Sequence, residues 1–464
     1  MPVPYWVQDS TFYQIFPDRF ANGDKSNNPP NVQKWGAKPN GWDFQGGDFR
    51  GIIRRFDYLL ELGINALYLN PIFLSTSNHR YNTSDYYRID PKLGNMEDFN
   101  ALLDTAHRNN IRVVLDGVFN HCGRGFFAFN DVLENGEHSP YKNWFYIQRL
   151  PLDAFTPGDA VNYAGWWSHK SLPKFNTNNP DVRKYLLGVA RYWIERGADG
   201  WRLDVPNEIN DDGFWAEFRQ VVKSVNREAY LFGEIWEADP RWANDSHFDG
   251  LMNYPVKDAL IPFLTGSENA TQFADKMESL LKIYPAENAY AMYVPLGSHD
   301  TERILTALEG NLEKLKLAYL FQFAYPGAPA IYYGDEVGLE GGKDPECRGA
   351  FPWDPASWKG DLQPWVRELI AIRKQRPSLR RGDYSRLMVK NEKGIYAFTR
   401  SLGEEKTLVV MNASEEKHDL QIPVKSLNWL DEHIVRSLLD YRPFSVVKGK
   451  LAITIPPLSG MYIG

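Results

Sequence analysis

One pattern, repeated along the chain, limits the folds open to it: an amphipathic helix, a glycine or asparagine stop, then a short β-branched strand. Ile53, Phe56 and Leu60 keep helical spacing, Gly63 stops that helix, and 64–69 reads as a strand. Asn95 caps a helix carrying Phe99, Leu102 and Ala106, which stops at Asn109-Asn110 before a strand at 111–115. Pro180 opens a third helix with Val182, Leu186, Val189 and Trp193 on one face; Gly197 ends it and 198–203 follows as a strand. A fourth helix at 214–225 precedes a strand at 230–232, and further strands are predicted at 12–16, 250–253, 292–296 and 330–333. Eight apolar strands alternating with helices predict an α/β fold with a parallel sheet covered on both faces. Their number and spread fit a closed (β/α)8 TIM barrel. An open doubly wound sheet has the same pattern, and strand counting does not separate the two.

Two segments break the repeat. Residues 122–178 separate the third strand from its helix by far more than a usual connection, and they are rich in Trp, Phe, Tyr, Asn and Pro. They read as a small inserted domain after strand three, beside the strand ends. Beyond Arg380-Arg381-Gly382 short strands are predicted at 387–390, 394–400, 406–412 and 451–455, an antiparallel C-terminal β-domain. The expected division is a barrel from 1–121 and 179–382, the insertion 122–178, and a C-terminal β-sandwich from 383–464.

Charge and composition remove several classes of function. The net charge is −7 and no basic run occurs, which gives no electrostatic footprint for nucleic acid or an anionic membrane. The longest apolar runs, such as 64–69, fall far short of a bilayer span of roughly 20 residues. The start, Met-Pro-Val-Pro-Tyr-Trp, lacks a secretory signal, and Cys122 and Cys347 are the only thiols, so a reducing cytoplasm is expected. The 15 Trp, 25 Tyr and 26 Phe fit either a large core or a cleft of flat rings suited to sugar faces.

Catalytic groups of such a barrel sit where the strands end. Four predicted strands end in groups an apolar strand would not otherwise bring: Asp116-Gly-Val-Phe-Asn120-His121, Gly200-Trp-Arg202-Leu-Asp204, Gly233-Glu234-Ile-Trp236 and Ser298-His299-Asp300. Asp204 and Glu234 lie one βα unit apart and should end neighbouring strands. Two adjacent carboxyls are what glycoside cleavage needs, one to attack the anomeric carbon and one to protonate the leaving oxygen. Arg202 points to the same side as Asp204 and would keep it ionised; crowding by Asp204 and Asp300 would keep Glu234 protonated. Asp300, His121 and His299 would bond hydroxyls of the distorted sugar.

These four stretches resemble, in order, the four conserved regions of α-amylase-type glycoside hydrolases, and Leu172-Pro-Lys-Phe-Asn176 resembles a fifth. With Val205-Pro-Asn-Glu208 the chain is most similar to the neopullulanase, cyclomaltodextrinase and maltogenic amylase group. The resemblance implies Asp204 as nucleophile, Glu234 as general acid/base and Asp300 as transition-state stabiliser. It places Asp116, His121, Arg202 and His299 around the sugar, Tyr81 as the platform under it, Trp236 on the acceptor side, and Asp344 and Arg348 on the donor side. The implied activity is retaining hydrolysis of α-1,4 bonds in cyclodextrins, maltooligosaccharides and pullulan, with some transfer to sugar acceptors. A transglycosylase or isomerase of the same family, or a non-catalytic glucan-binding barrel, stays open as an alternative. The group's N-terminal β-domain, which builds its dimer and narrows the active-site mouth, has no counterpart before the first strand. The oligomeric state and the preference for small cyclic dextrins are left open accordingly. Pro206 also departs from the group, standing where a small residue is usual.

Asn22, Asp24, Asn27, Asn28, Gly46 and Asp48 offer clustered hard oxygens. Residues alone leave this as a metal site or a plain Asn-Gly turn; the resemblance implies a structural calcium ion. Gly123-Arg-Gly125-Phe-Phe-Ala128 satisfies a dinucleotide pattern, but two Phe follow the second glycine and no helix is expected at Ala128. Cys122 reads as a packed thiol without a neighbouring base, not a nucleophile. The pair Trp166-Trp167 either lines the cleft or packs the insertion.

Overall fold

Alternation along each strand sorts the apolar side chains to two faces of one curved sheet. The computed structural model describes residues 2–464. Its eight parallel strands are β1 (Phe12–Ile15), β2 (Ala66–Leu69), β3 (Arg112–Gly117), β4 (Gly200–Leu203), β5 (Tyr230–Gly233), β6 (Gly250–Leu251), β7 (Tyr293–Pro295) and β8 (Ala328–Tyr332). They run in the order β6-β5-β4-β3-β2-β1-β8-β7, and a parallel bridge between Met252 and Tyr293 joins the two edges. The sheet is therefore a barrel, and the doubly wound alternative is overturned. Phe12, Ala66, Tyr68, Val114, Tyr230, Phe232, Tyr293 and Ala330 fill its interior. Their alternates, among them Tyr13, Leu67, Val113, Trp201 and Leu231, face the surrounding helices in the main core. The same alternation carries Gln14, Asn70, Asp116, Arg202 and Glu234 to the inner side at the strand ends.

The helices keep their predicted stops. Gly63, at φ +94°, ends Phe56–Leu62 in the left-handed conformation that glycine adopts without strain. Asn95 caps Met96–Arg108 in a reciprocal box with Asp98, and Asn179 caps Pro180–Glu195. The first helix, expected in one piece, is two, Phe49–Arg54 and Phe56–Leu62, parted at Arg55. A second correction falls at Ala128, which lies inside a helix, Phe127–Asn135. No side chain caps it, so it gives no local signal; burial of Ala128, Phe129 and Val132 holds it.

The insertion contributes Phe126, Phe129, Trp144, Phe145, Tyr163 and Phe175 to the main core. After β2, an antiparallel hairpin of Phe73–Ser75 and Thr83–Ile89 that the sequence did not reveal carries Tyr81 in its turn. The C-terminal region is two four-stranded antiparallel sheets around a core of their own. One contains β9 (Asp383–Lys390), β10 (Ile395–Leu402), β11 (Glu405–Asn412) and β16 (Ser459–Ile463). The other contains β12 (His418–Pro423), β13 (Ile434–Arg436), β14 (Pro443–Val447) and β15 (Lys450–Ile455). Among the described residues no helix is long and apolar enough to cross a membrane, and both cysteines are free and buried.

Candidate active site

Arg202, wholly buried at the end of β4, is the hub of the site. Its Nη1 donates to Asp116 Oδ1 at 2.8 Å and to Asp204 Oδ1 at 2.9 Å, and its Nη2 pairs with Glu234 Oε2 at 2.9 Å. Asp204 and Glu234 thus share one guanidinium. In glycosidases, carboxyls about 5 to 5.5 Å apart leave no room for an intervening water and suit a covalent, retaining route.

Backbone strain helps to aim Glu234. Val205 sits at φ 35°, ψ 51°, left-handed although it is β-branched and precedes Pro206. That turn points the Val205 N–H at Glu234 Oε2, 3.0 Å away, while Trp236 Nε1 donates to Oε1 at 3.2 Å. Strain of this sort persists only where its surroundings enforce it; Trp215 Nε1 does so by donating to the carbonyls of Pro206 and Ile209.

The electrostatics differ from the sequence-based expectation in two ways. Burial, rather than crowding, is the main cause that raises Glu234 to about 7; Arg202 opposes it and Asp300 adds to it. Asp204 is also raised by burial, despite Arg202, with Glu234, Asp116 and Asp300 adding to the rise. One guanidinium divided among three carboxylates does not keep Asp204 ionised by itself, and the Asp204–Glu234 pair holds a shared proton near neutrality. Hydrogen bonds reach both members, from Arg202 Nη1 to Asp204 and from Val205 N–H and Trp236 Nε1 to Glu234, so the proton belongs to the pair.

Tyr81 forms the floor. Its ring lies parallel to His299, centroids 5.3 Å apart, and its hydroxyl donates to Asp116 Oδ2 at 2.7 Å and accepts from Asn70 Nδ2 at 3.0 Å. Asp116, 1% exposed, also accepts from the Tyr68 hydroxyl at 2.6 Å, so it anchors Arg202 and Tyr81 rather than reaching the cleft. Gln14 Nε2 donates to His299 Nδ1 at 3.0 Å, which leaves Nε2 to carry the hydrogen toward the Tyr81 hydroxyl, 2.5 Å away, with Asp300 Oδ2 3.0 Å from the same nitrogen. Burial, with Arg348 and Arg202, holds His299 well below the usual imidazole range. Burial pushes His121 down to about 3, and its buried Nε2 has no protein partner. Both rings are neutral donors or acceptors for hydroxyls.

Asp300 keeps its side chain 31% exposed, held by Arg348 Nη2 at 3.1 Å. Arg348 Nε also donates to the His299 carbonyl and its Nη1 pairs with the half-exposed Asp344 at 3.0 Å. Trp236, 44% exposed, lies flat on Tyr254 with centroids 4.2 Å apart. Cys122 is buried, and burial holds its thiol well above the usual range. Sequence reasoning missed Gln14, Tyr68, Asn70 and Val205. A polar Gln14 inside an apolar strand, at the same parity as Phe12, is the one signal that could have found any of them.

The oxygen cluster lies apart from these residues. Asp48 caps Phe49–Arg54 and accepts from Gly23 N, Asp24 N and Gly51 N. Asn22 Nδ2 donates to Asn28 Oδ1 at 2.9 Å, and a Cβ on Gly46 would collide with both of those side chains. The amide oxygens of Asn22 and Asn27 are buried without a partner. Unsatisfied hard oxygens are the donors calcium takes, so these residues fit that ion. Among the described residues no trio of His, Cys, Asp or Glu is placed to hold a metal, and the fit rests on amide oxygens.

A (β/α)8 barrel whose strand ends bring two carboxyls onto one arginine defines a glycoside hydrolase of the α-amylase type. The chain matches the alpha amylase catalytic domain over residues 14–369 and the maltogenic amylase C-terminal domain over residues 384–462, and it belongs to the alpha-amylase family. It is 43% identical over 458 residues to a cyclomaltodextrinase of Geobacillus thermopakistaniensis, covering 98% of this chain and 76% of that one. With neopullulanase 2 of Thermoactinomyces vulgaris the identity is 42%, over 99% of this chain and 78% of the relative. Its fold is similar to that of the cyclic α-maltosyl-(1→6)-maltose hydrolase of Arthrobacter globiformis in complex with that sugar. There the TM-score is 0.91 and the identity 40%, over 100% of both chains.

Proposed function

We propose that the chain hydrolyses α-1,4-glucosidic bonds of cyclodextrins and starch-derived maltooligosaccharides, and of pullulan, with retention of configuration. The observation that carries this reading is the single guanidinium shared by Asp204 and Glu234. An Asp204 carboxylate oxygen attacks the anomeric carbon as Glu234 gives its proton to the leaving glycosidic oxygen. A covalent glycosyl ester and a free sugar end result. Glu234, now a carboxylate, then takes a proton from water, whose oxygen attacks the same carbon and frees Asp204. Two inversions leave the product in the α form. Asp300 and His299 bond hydroxyls of the flattened ring over Tyr81, and a sugar hydroxyl in place of water gives some transglycosylation.

The activities that the relatives are named for support these substrates, and the cyclic maltosyl-(1→6)-maltose of the full-length neighbour belongs on the same panel. The reading includes a structural calcium held by Asn22, Asp24, Asn27, Asn28, the Gly46 carbonyl and Asp48. It would tie the loop after β1 to the helix that Asp48 caps, with no part in bond cleavage. Two reduced, buried thiols fit a cytoplasmic setting.

The test is turnover and product stereochemistry on β-cyclodextrin, soluble starch and pullulan. Asp204→Asn and Glu234→Gln each lower kcat by about 10³-fold or more while circular dichroism stays native. The first sugar released by the parent is the α anomer by NMR. Near-parental rates in either variant, or a β product, refute the assignment.

A further inference from the structure

Beyond the paired carboxyls, an aromatic ladder runs outward from the site through the insertion. The His121 ring is stacked on Trp166 (centroids 5.4 Å, 21°), and Trp166 on Trp167 (4.8 Å, 14°). Trp167 is 73% exposed, so the face turned from Trp166 meets solvent.

The backbone works to hold it there. Trp167 has φ +46° and Ser168 φ +61°, both in the left-handed region that bulky residues avoid. The turn is locked: Trp166 N donates to Leu172 O at 2.9 Å, Ala160 N donates to Ser168 O at 2.8 Å, and a Cβ on Gly165 would strike the His169 carbonyl at 2.3 Å. Packing of the insertion alone explains Trp166 but not a strained, outward Trp167. The Trp166 indole N–H is buried with no protein acceptor, a donor without a partner beside the ladder.

Its position indicates which part of a sugar chain it meets. Lys174 pairs with His121 in a β-bridge and its Nζ donates to Glu208 O at 2.7 Å, tying the insertion to the turn whose Val205 N–H holds Glu234. The donor-side pair Asp344 and Arg348 follows β8, across β1 and β2 from that wall. The ladder therefore stands on the side where Glu234 protonates the leaving oxygen.

We propose that Trp166 and Trp167 form a binding platform for the leaving portion of an α-glucan, Trp167 stacking on the apolar face of a glucose beyond the one released at the cleaved bond. This rests on the glucan-cleaving reading and names a specificity determinant within it. Stacking on a flat sugar face needs an exposed, fixed ring, and the rigid turn supplies one at little entropic cost. The unpartnered Trp166 N–H donates to a hydroxyl of that chain.

The experiment compares two substrates in the full chain. Maltotetraose places glucose units on the leaving side, whereas α-maltosyl fluoride releases only fluoride and leaves the ladder untouched. Trp167→Ala lowers kcat/KM for maltotetraose about tenfold, chiefly through KM, and leaves the fluoride within about twofold; Trp167→Phe recovers most of the loss. In Asp204→Asn, maltotetraose quenches tryptophan fluorescence, and the added Trp167→Ala change removes much of that quench. Equal losses on both substrates, or no loss on either, overturns the proposal. A parent chain inert on the fluoride defeats instead the reading of the carboxyl pair.

Discussion

At Glu234 burial acts against ionisation while Arg202 acts for it, and the balance leaves the carboxyl at about 7. Because the proton on Glu234 is spent on the leaving sugar oxygen in the first step, kcat/KM for β-cyclodextrin falls as pH rises through about 7. The sign for stability follows from the same shift. The unfolded chain gives up this proton near 4.5 and the folded chain near 7, so the stability present at low pH is lost across that window. Glu234→Gln removes the ionisation, and its Tm gain over the parent is larger above the window than below it. An equal gain at both pH values contradicts the burial account. Asp204, Glu234, His299 and Asp300 are legible in sequence because a polar group ending an apolar strand is costly unless it is used. Val205 is not legible: valine is a good strand residue, and only the fold turns it left-handed. Gln14 and Asn70 gain meaning only when closure of the barrel brings them to Tyr81 and His299.

Among the elements, loops carry what local pattern does not. The loop from Asn22 to Asp48 holds its oxygens through Asp48, which serves as a helix cap at the same time. Removal of calcium with chelator lowers Tm and leaves the kcat of surviving folded enzyme near its starting value, and elemental analysis of the untreated protein finds calcium. Unchanged melting with no metal present refutes that site. Helices Met96–Arg108 and Pro180–Glu195 are readable because their caps and apolar faces are local facts. Helix Phe127–Asn135 is not, since Phe126 caps nothing and its support comes from distant Trp144, Phe175 and Tyr185. The hairpin that carries Tyr81 is hidden for a related reason: its register shifts twice, breaking the alternation that marks a strand. In the C-terminal region β13 and β14 are short and expose Ile434 and Val447, which blurs the inward–outward rhythm.

At the scale of the molecule, the parts are joined unevenly. The C-terminal sheets are bonded to the barrel's outer layer, where the Tyr462 hydroxyl donates to Leu320 O and Arg400 to Ala324 O. By contrast, the ring of strands is completed between its two shortest members. Strand β6 has 2 residues and β7 has 3, and one bridge, Met252 to Tyr293, links them, supported by Asn253 N donating to Tyr293 O at 2.8 Å. Neighbouring pairs elsewhere share longer runs of partners, such as four between β1 and β2. Backbone amides at this junction therefore trade their hydrogens for deuterium faster than those of β2 or β3, and mass spectrometry of the native protein reads the contrast directly. Equal protection all round the ring contradicts it. Heating then parts the hoop at one fastening rather than everywhere together, and the side chains of β4 and β5 lose their alignment only after that first tear.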